Sequence, residues 1–208
     1  MPEILSDKIS AILMLNGEQR DVISYGLSVL TSNILGIAGV LFIAYMWGAF
    51  ISTLALLITL LLLRPNAGGA HCSNSFNCSL IGYVLLPLLG YGAFWFSSFP
   101  LSIQRIYIVA CACLGLTGIF TRAPYFTQSK PRAEIRSKKL KTRALIIAMI
   151  SLVVALIFNI IARHEWAMGI ATGLLFQGLV LLPPGIKVIQ YLDNYLLEQF
   201  IKIKKEVN

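Results

Sequence analysis

Long runs of apolar residues, separated by short polar segments, make up most of the chain from residue 22 onward. Most of these runs approach the roughly 20 residues that an α-helix needs to cross the hydrocarbon core of a bilayer. Apolar and polar residues do not alternate within the runs, as they would in the strands of a membrane β-barrel. The pattern therefore predicts six membrane-spanning helices, at residues 22–46, 49–63, 80–96, 103–120, 144–161 and 166–182.

The polar segments around these runs have patterns of their own. Residues 1–21 place apolar and charged side chains at helical spacing, which predicts an amphipathic helix on the membrane surface or packed on the rest of the protein. Trp47-Gly48, residues 97–100 and residues 163–165 are expected to be short turns. Residues 185–208 form an amphipathic tail with a basic end. We find no internal repeat and predict one all-α membrane domain over residues 1–208.

Composition and charge support this interpretation and add an orientation. Only 12% of the residues are charged, about half of the roughly 25% that is typical of soluble domains. Residues 122–143 carry eight of the 17 Lys and Arg residues and one acid, and such positive segments stay in the cytoplasm. With six spans, both termini and residues 64–78 are then cytoplasmic, and only Arg105 and Arg163 among the basic residues fall on the other side. We expect a multi-pass protein of the cell membrane.

The polar segment at residues 64–78 contains two candidate reactive groups, His71 and Cys78. A cysteine acts as a nucleophile in its thiolate form, and an imidazole with a pKa near 6.5 can accept the thiol proton. Along one straight helix the seven-residue spacing corresponds to about 10.5 Å, too far for proton transfer. If the two residues act together within one chain, the helix must break between them.

Other interpretations of this segment are open. The histidine and the cysteine can be incidental, or His71, Cys72 and Cys78 can bind a metal ion, although the only other histidine, His164, is expected on the opposite side. For the whole chain, the rival functions are a small membrane transporter or channel and a non-enzymatic scaffold. Intramembrane charges would favour transport, but Arg105, near a helix end, is the only charged residue in the predicted spans.

Several motifs resemble the AgrB (accessory gene regulator B) family of quorum-sensing membrane endopeptidases. Ala123-Pro124 and Phe176-Gln177-Gly178 are similar to parts of the central loop and the last helix of that family. The pattern R-x3-G-G-x-H-x6-C of the polar segment is similar to the family's reactive motif and consists of Arg64, Gly68, Gly69, His71 and Cys78. The resemblance covers nearly the whole chain.

The resemblance implies a cysteine endopeptidase that cuts a membrane-bound, AgrD-like propeptide. Cys78 would attack the carbonyl at the end of the pheromone region, release an acidic tail and leave a thioester acyl-enzyme. An internal cysteine or serine of the peptide would then close a thiolactone or lactone ring. His71 would act as general base and then general acid, with Arg64, Gly68 and Gly69 in supporting roles. No metal, other cofactor or nucleic acid is expected.

The basic segment and the small residues in the apolar runs suggest two binding partners, an acidic peptide tail and a second copy of the chain. The basic segment can hold an acidic peptide tail by charge complementarity, or it can serve only to fix topology, and both can hold at once. The candidate tail-binding residues are Lys130, Arg132, Arg136, Lys138, Lys139 and Lys141. The small residues that permit close helix packing, and so leave a homodimer open, are Gly36, Gly39, Gly115 and Gly118.

Overall fold

The computed structural model describes the backbone of residues 16–69, 72–73, 75–125 and 134–207, and the side chains of residues 16–69, 72–73, 77–125 and 137–198. These residues form seven helices: α1 (Gly17–Met46), α2 (Phe50–Ala67), α3 (Ser75–Ser97), α4 (Leu101–Arg122), α5 (Glu134–Ile160), α6 (His164–Leu179) and α7 (Pro183–Val207). The first five are long and apolar enough to cross a membrane, and α6 with the start of α7 is a sixth candidate, bent by 86°. The prediction of an all-α polytopic membrane protein with about six spans is confirmed.

The helix boundaries follow local sequence. Asn16 caps α1, because its side-chain oxygen accepts from the Gln19 N–H while the Gln19 side chain accepts from the Asn16 N–H. Residues 17–21, expected in the amphipathic N-terminal helix, are the first turns of α1, and residues 1–15 lie outside the described residues. The turns at Trp47-Gly48 and before Leu101 are confirmed. The third turn ends at Arg163, so His164 and Glu165 begin α6 instead of forming the turn.

Helix α6 lies at the centre of the bundle and packs against α2, α3, α4 and α5. Small residues allow this close approach, since a Cβ at Gly169 would collide with the backbone of Ser52 in α2. Gly115 and Gly118 of α4 likewise face the backbone of α6, at Leu174 and Gly178. Lipid is as apolar as leucine, so such tight packing is a main source of helix association in membranes. Gly115 and Gly118 therefore serve packing within the chain, and a homodimer stays a prediction.

The outer surface of the bundle is apolar. Helix α1 is the least buried span, with only Val40 and Ala44 fully covered. Large apolar side chains are exposed on most helices, including Val22, Tyr25, Phe42, Ile106, Met149 and Ile160. A soluble monomer rarely exposes a continuous surface of this kind, whereas lipid covers it at no cost. The surface agrees with a multi-pass membrane protein.

The helix connections lie at two opposite ends of the bundle. The turn end holds the α1–α2, α3–α4 and α5–α6 turns, and the connector end holds the α2–α3 connection, the start of the α4–α5 connection and the α6–α7 bend. At the turn end the Gln104 amide donates to the carbonyls of Ser97 and Phe99, each at 2.8 Å, and accepts from Asn159 at 2.7 Å. The charge pattern assigns the connector end to the cytoplasm, and that orientation stays a prediction.

Candidate active site

The α2–α3 connection breaks the helix between the two predicted reactive residues. Helix α2 ends at Ala67 and α3 begins at Ser75. Gly68 has φ 75° and Gly69 has φ 155°, and glycine adopts positive φ without the steric penalty of a side chain. The expected break in regular helix before Cys78 is confirmed. His71 lies outside the described residues, so its position relative to Cys78 stays a prediction.

Ala67 and Gly68 are held by two segments that are distant in sequence. Tyr125, just after α4, donates its N–H to the Ala67 carbonyl at 3.0 Å, and Gln177 of α6 donates its side-chain amide to the Gly68 carbonyl at 2.9 Å. A Cβ at Gly68 would collide with the Tyr125 backbone oxygen. The connection is thus held against α4 and α6, and only glycine fits at this position.

Cys78 lies in the first turn of α3 as a free, partly buried thiol. It lines a cavity of about 80 Å³ between α2, α3, α6 and α7, whose walls include Leu60, Phe176 and Ile189. It also lines a cavity of about 330 Å³ on the flank of the bundle, between α1, α2 and α3. Arg64 lines both cavities. The thiol therefore faces mainly apolar space with one guanidinium beside it.

A second thiol, Cys72, lies close to Cys78 but in a different environment. It is partly buried against Val180 and Ile189, and it lines the smaller cavity. Burial, together with the neighbouring Cys78 thiol, raises the pKa of Cys72 to about 12. The thiolate fraction of Cys72 is therefore smaller than that of an ordinary cysteine, which disfavours Cys72 as the nucleophile.

The other predicted site residues are only partly described. Lys130 and Arg132 lie outside the described residues, as does the Arg136 side chain. Lys138 and Lys139 are exposed in the first turns of α5, whereas the Lys141 ammonium lies 5.0 Å from the centre of the Phe120 ring. Within the described ranges no group of three or more His, Cys, Asp and Glu could hold a metal ion, and the metal alternative depends on His71, outside them.

Asp193 of α7 is a polar residue of the site that sequence analysis missed. Its buried carboxylate accepts hydrogen bonds from the Ser73 N–H at 2.7 Å, the Ser73 hydroxyl at 3.2 Å and the Asn77 amide at 2.7 Å. Burial alone would raise the pKa of Asp193, but the hydrogen bonds from Asn77 and Ser73 outweigh it and lower the pKa below its ordinary value. The side chain is a carboxylate at neutral pH.

One feature of the sequence could have identified Asp193. Ile186, Ile189, Leu196 and Leu197 recur at helical spacing along the tail, and Asp193 falls within that apolar stripe. A charged residue on the apolar face of an amphipathic helix requires a partner when that face is buried. The partner itself is not visible in the sequence, because it lies 120 residues away in the α2–α3 connection.

Comparison with known proteins identifies the same family that the sequence motifs resemble. The family model described as Accessory gene regulator B matches residues 3–181. A putative AgrB-like protein of Clostridium perfringens (strain SM101 / Type A) is 24% identical over 201 residues, covering 95% of this chain and 94% of the relative. Accessory gene regulator protein B of Staphylococcus aureus (strain Newman) is 30% identical over 161 residues, covering 76% and 79%. No solved structure gave a significant match. The chain belongs to the accessory gene regulator B family.

Proposed function

We propose that the protein is a membrane cysteine endopeptidase that removes the acidic tail of a quorum-sensing propeptide and allows the remaining peptide to cyclise. Family membership supports the coarser statement, that the protein takes part in the accessory gene regulator quorum-sensing system. The observation that carries the finer statement is Cys78, a free thiol in the first turn of α3 that lines two apolar cavities beside Arg64.

In the proposed reaction the Cys78 thiolate attacks the carbonyl carbon of the last residue of the pheromone region. His71 accepts the thiol proton and passes it to the leaving nitrogen, the C–N bond breaks, and the tail departs with a free amine. A thiol or hydroxyl within the peptide then attacks the thioester, closes the ring and returns a proton to Cys78. His71 directly precedes Cys72, which lines a cavity with Cys78, and this supports its role as the base.

The cavities suit such a peptide. The smaller one can hold one apolar side chain next to the scissile bond, and the larger one can hold further apolar residues of the pheromone region. Apolar walls keep water away from the thioester, which favours ring closure over hydrolysis. Arg64 is exposed and forms no ion pair with any described residue, so its charge is available to the acidic tail. Helix α6 fills the centre of the bundle, so the described residues leave no central pore that would favour a channel. No described residue specifically supports a transporter.

The proposal is tested with purified protein and a propeptide in liposomes. We expect the wild-type protein to release the tail and to carry the remaining peptide as a thioester on Cys78, detected by mass spectrometry of the trapped intermediate. Cys78→Ala should release no tail. Cys113→Ala is the matched control, because Cys113 is an exposed cysteine of α4 that lines neither cavity, and it should cleave at the wild-type rate.

The identity of the nucleophile is tested by the neighbouring cysteine. Cys72→Ala should still form the acyl-enzyme on Cys78, because Cys78 lines both cavities whereas Cys72 lines only the smaller one. Tail release by Cys78→Ala, or an acyl group found on Cys72 in the wild-type protein, would refute the proposed mechanism.

A further inference from the structure

The C-terminal helix α7 lies across the connector end of the bundle. It leaves α6 at an angle of 86°, and among the bundle helices it contacts mainly α3. Two features attach it to the α2–α3 connection. Ile189 packs with Val180 against Cys72, and the Asp193 carboxylate binds Ser73 and Asn77.

The three hydrogen bonds to Asp193 act on both sides of the start of α3. Ser73 directly follows Cys72, and Asn77 directly precedes Cys78. A carboxylate that accepts from a backbone N–H, a hydroxyl and an amide makes stronger hydrogen bonds than a neutral acceptor would. Because both Oδ atoms are used, the carboxylate fixes the orientation of the connection as well as its distance from α7.

Asp193 makes little contribution to the central packing of the bundle. The buried residues of α6 contact α2, α3, α4 and α5, whereas the described polar partners of Asp193 all lie between residues 72 and 78. The similarity to the family model ends at residue 181, before α7 begins at Pro183. A residue outside the matched region is thus bonded to the segment that carries the candidate nucleophile.

We infer that Asp193 is a positioning residue of the active site, which holds Cys78 in its attacking position through Ser73 and Asn77. The inference rests on the proposed function of Cys78. It makes α7 a part of the catalytic unit, although the carboxylate does not touch the reacting atoms. A displacement of about 1 Å at a reacting group can reduce a rate by up to about 100-fold. The peptide-binding cavities and the basic segment are formed largely by other helices, so substrate binding should change little.

The first test compares two acidic residues of α7. Asp193→Asn keeps the size of the side chain but turns one acceptor into a donor, which then opposes the donors of Ser73 and Asn77. We expect kcat for tail release to fall about tenfold or more, with KM within about twofold of wild type. Glu198→Gln is the matched control, because Glu198 is exposed on the same helix and forms no described hydrogen bond, and its kcat should equal that of the wild-type protein.

The second test is a double-mutant cycle between Asp193→Asn and Asn77→Ala. Asn77 has another interaction besides the one with Asp193, so the coupling between the two changes is the diagnostic quantity. If the two residues act as one unit, the double variant should lose little more kcat than the worse single variant. Multiplicative losses in kcat would refute the inference.

The outcomes separate the inference from the proposed function. If Cys78→Ala is inactive while Asp193→Asn has wild-type kcat, the inference is wrong and the proposed function stands. If Cys78→Ala still releases the tail, the proposed role of Cys78 is wrong, and the inference, which rests on that role, fails for this separate reason. Should Asp193→Asn fail to accumulate in membranes, Ser73→Ala/Asn77→Ala removes two of the three donors while keeping the carboxylate. Wild-type kcat in that variant would overturn the inference, and a selective loss of kcat would support it.

Discussion

The two ends of the bundle are held together in different ways. At the turn end, Gln104 binds carbonyls five and seven residues away and the Asn159 amide 55 residues away, and the groups involved are uncharged amides and backbone. At the connector end, Gln177 reaches a carbonyl 109 residues away, and Asp193 reaches one residue 120 positions away. The bonds that close the α3–α4 turn involve only the two helices that it joins and the turn itself. The connector end requires α2, α3, α4, α6 and α7 together, so its geometry exists only in the complete fold.

The two ends also differ in how closely other atoms surround a residue with positive φ. Gly48 at the turn end and Gly68 at the connector end have nearly the same φ, 72° and 75°. A Cβ at Gly48 would meet open space, whereas one at Gly68 would meet the backbone of Tyr125. Ala162, at another turn of the turn end, already adopts φ 59°. A positive φ is therefore accommodated without steric conflict at Gly48, whereas at Gly68 the neighbouring Tyr125 backbone also excludes any side chain.

The largest effect is expected from Gly68→Ala. The new methyl group must displace Tyr125 or the end of α2, which moves the segment that leads to Cys78. We expect tail release to fall at least about 100-fold, measured as kcat/KM in liposomes. Gly48→Ala is the matched control. It carries only the intrinsic cost of positive φ, about 1–2 kcal/mol, and its kcat/KM should stay within about twofold of wild type. Equal losses in the two variants would show that the ends do not differ in this respect.

A smaller effect is expected from Asn159→Leu at the turn end, and it should lower stability without lowering activity. It leaves the buried Gln104 side-chain oxygen without the Asn159 donor, which costs about 1 kcal/mol for a hydrogen bond between membrane helices. Thermal unfolding in detergent should shift to lower temperature, while kcat for the folded protein stays unchanged. A loss of kcat in protein that is fully folded would contradict the independence of the two ends.

The smallest effect is expected from the exposed lysines near the start of α5. Lys138→Glu/Lys139→Glu reverses two charges but leaves Lys141, whose ammonium lies over the Phe120 ring and serves packing. Exposed ion pairs contribute about 0.2–1 kcal/mol each, so KM for the propeptide should rise a few-fold at low salt. The rise should shrink at high salt, because exposed charges are screened over about 8 Å at physiological ionic strength.

A propeptide with a neutralised tail is the control for this charge reversal. If the lysines bind the acidic tail, the variant and the wild-type protein should have the same KM for the neutral substrate. An equal defect with both substrates would instead assign the lysines a structural role.

Much of the fold could be predicted from the sequence because lipid imposes a simple rule. A span must be a long apolar helix, so the runs and the turn at Trp47-Gly48 were visible directly. The helix break before Cys78 followed from the length of a straight helix together with the hypothesis that His71 and Cys78 act together. The third turn was placed too late because His164 and Glu165 are polar. An acidic residue is favourable in the first turn of a helix, where the N-terminal end of the dipole is positive, and both residues belong to α6.

The tertiary contacts of the site could not be predicted in the same way. The Asn66 amide donates back to the Leu62 carbonyl of its own helix, whereas Ser73 binds Asp193, which is 120 residues away in sequence. The position of Asp193 depends on the bend between α6 and α7, which no local pattern specifies. The contact of Gln177 with Gly68 similarly depends on how far α6 extends along α2.

The larger cavity at Cys78 has a consequence for how the proposed propeptide substrate would reach the protein. It lies on the flank of the bundle, between α1, α2 and α3, where the outer surface faces lipid. A peptide anchored in the bilayer can enter it by sideways diffusion, without first dissolving in water. Encounter then takes place in two dimensions, and the relevant substrate concentration is molecules per unit membrane area. Extra empty lipid would slow cleavage at constant bulk peptide, and crowding propeptide and protein into one membrane patch would speed it.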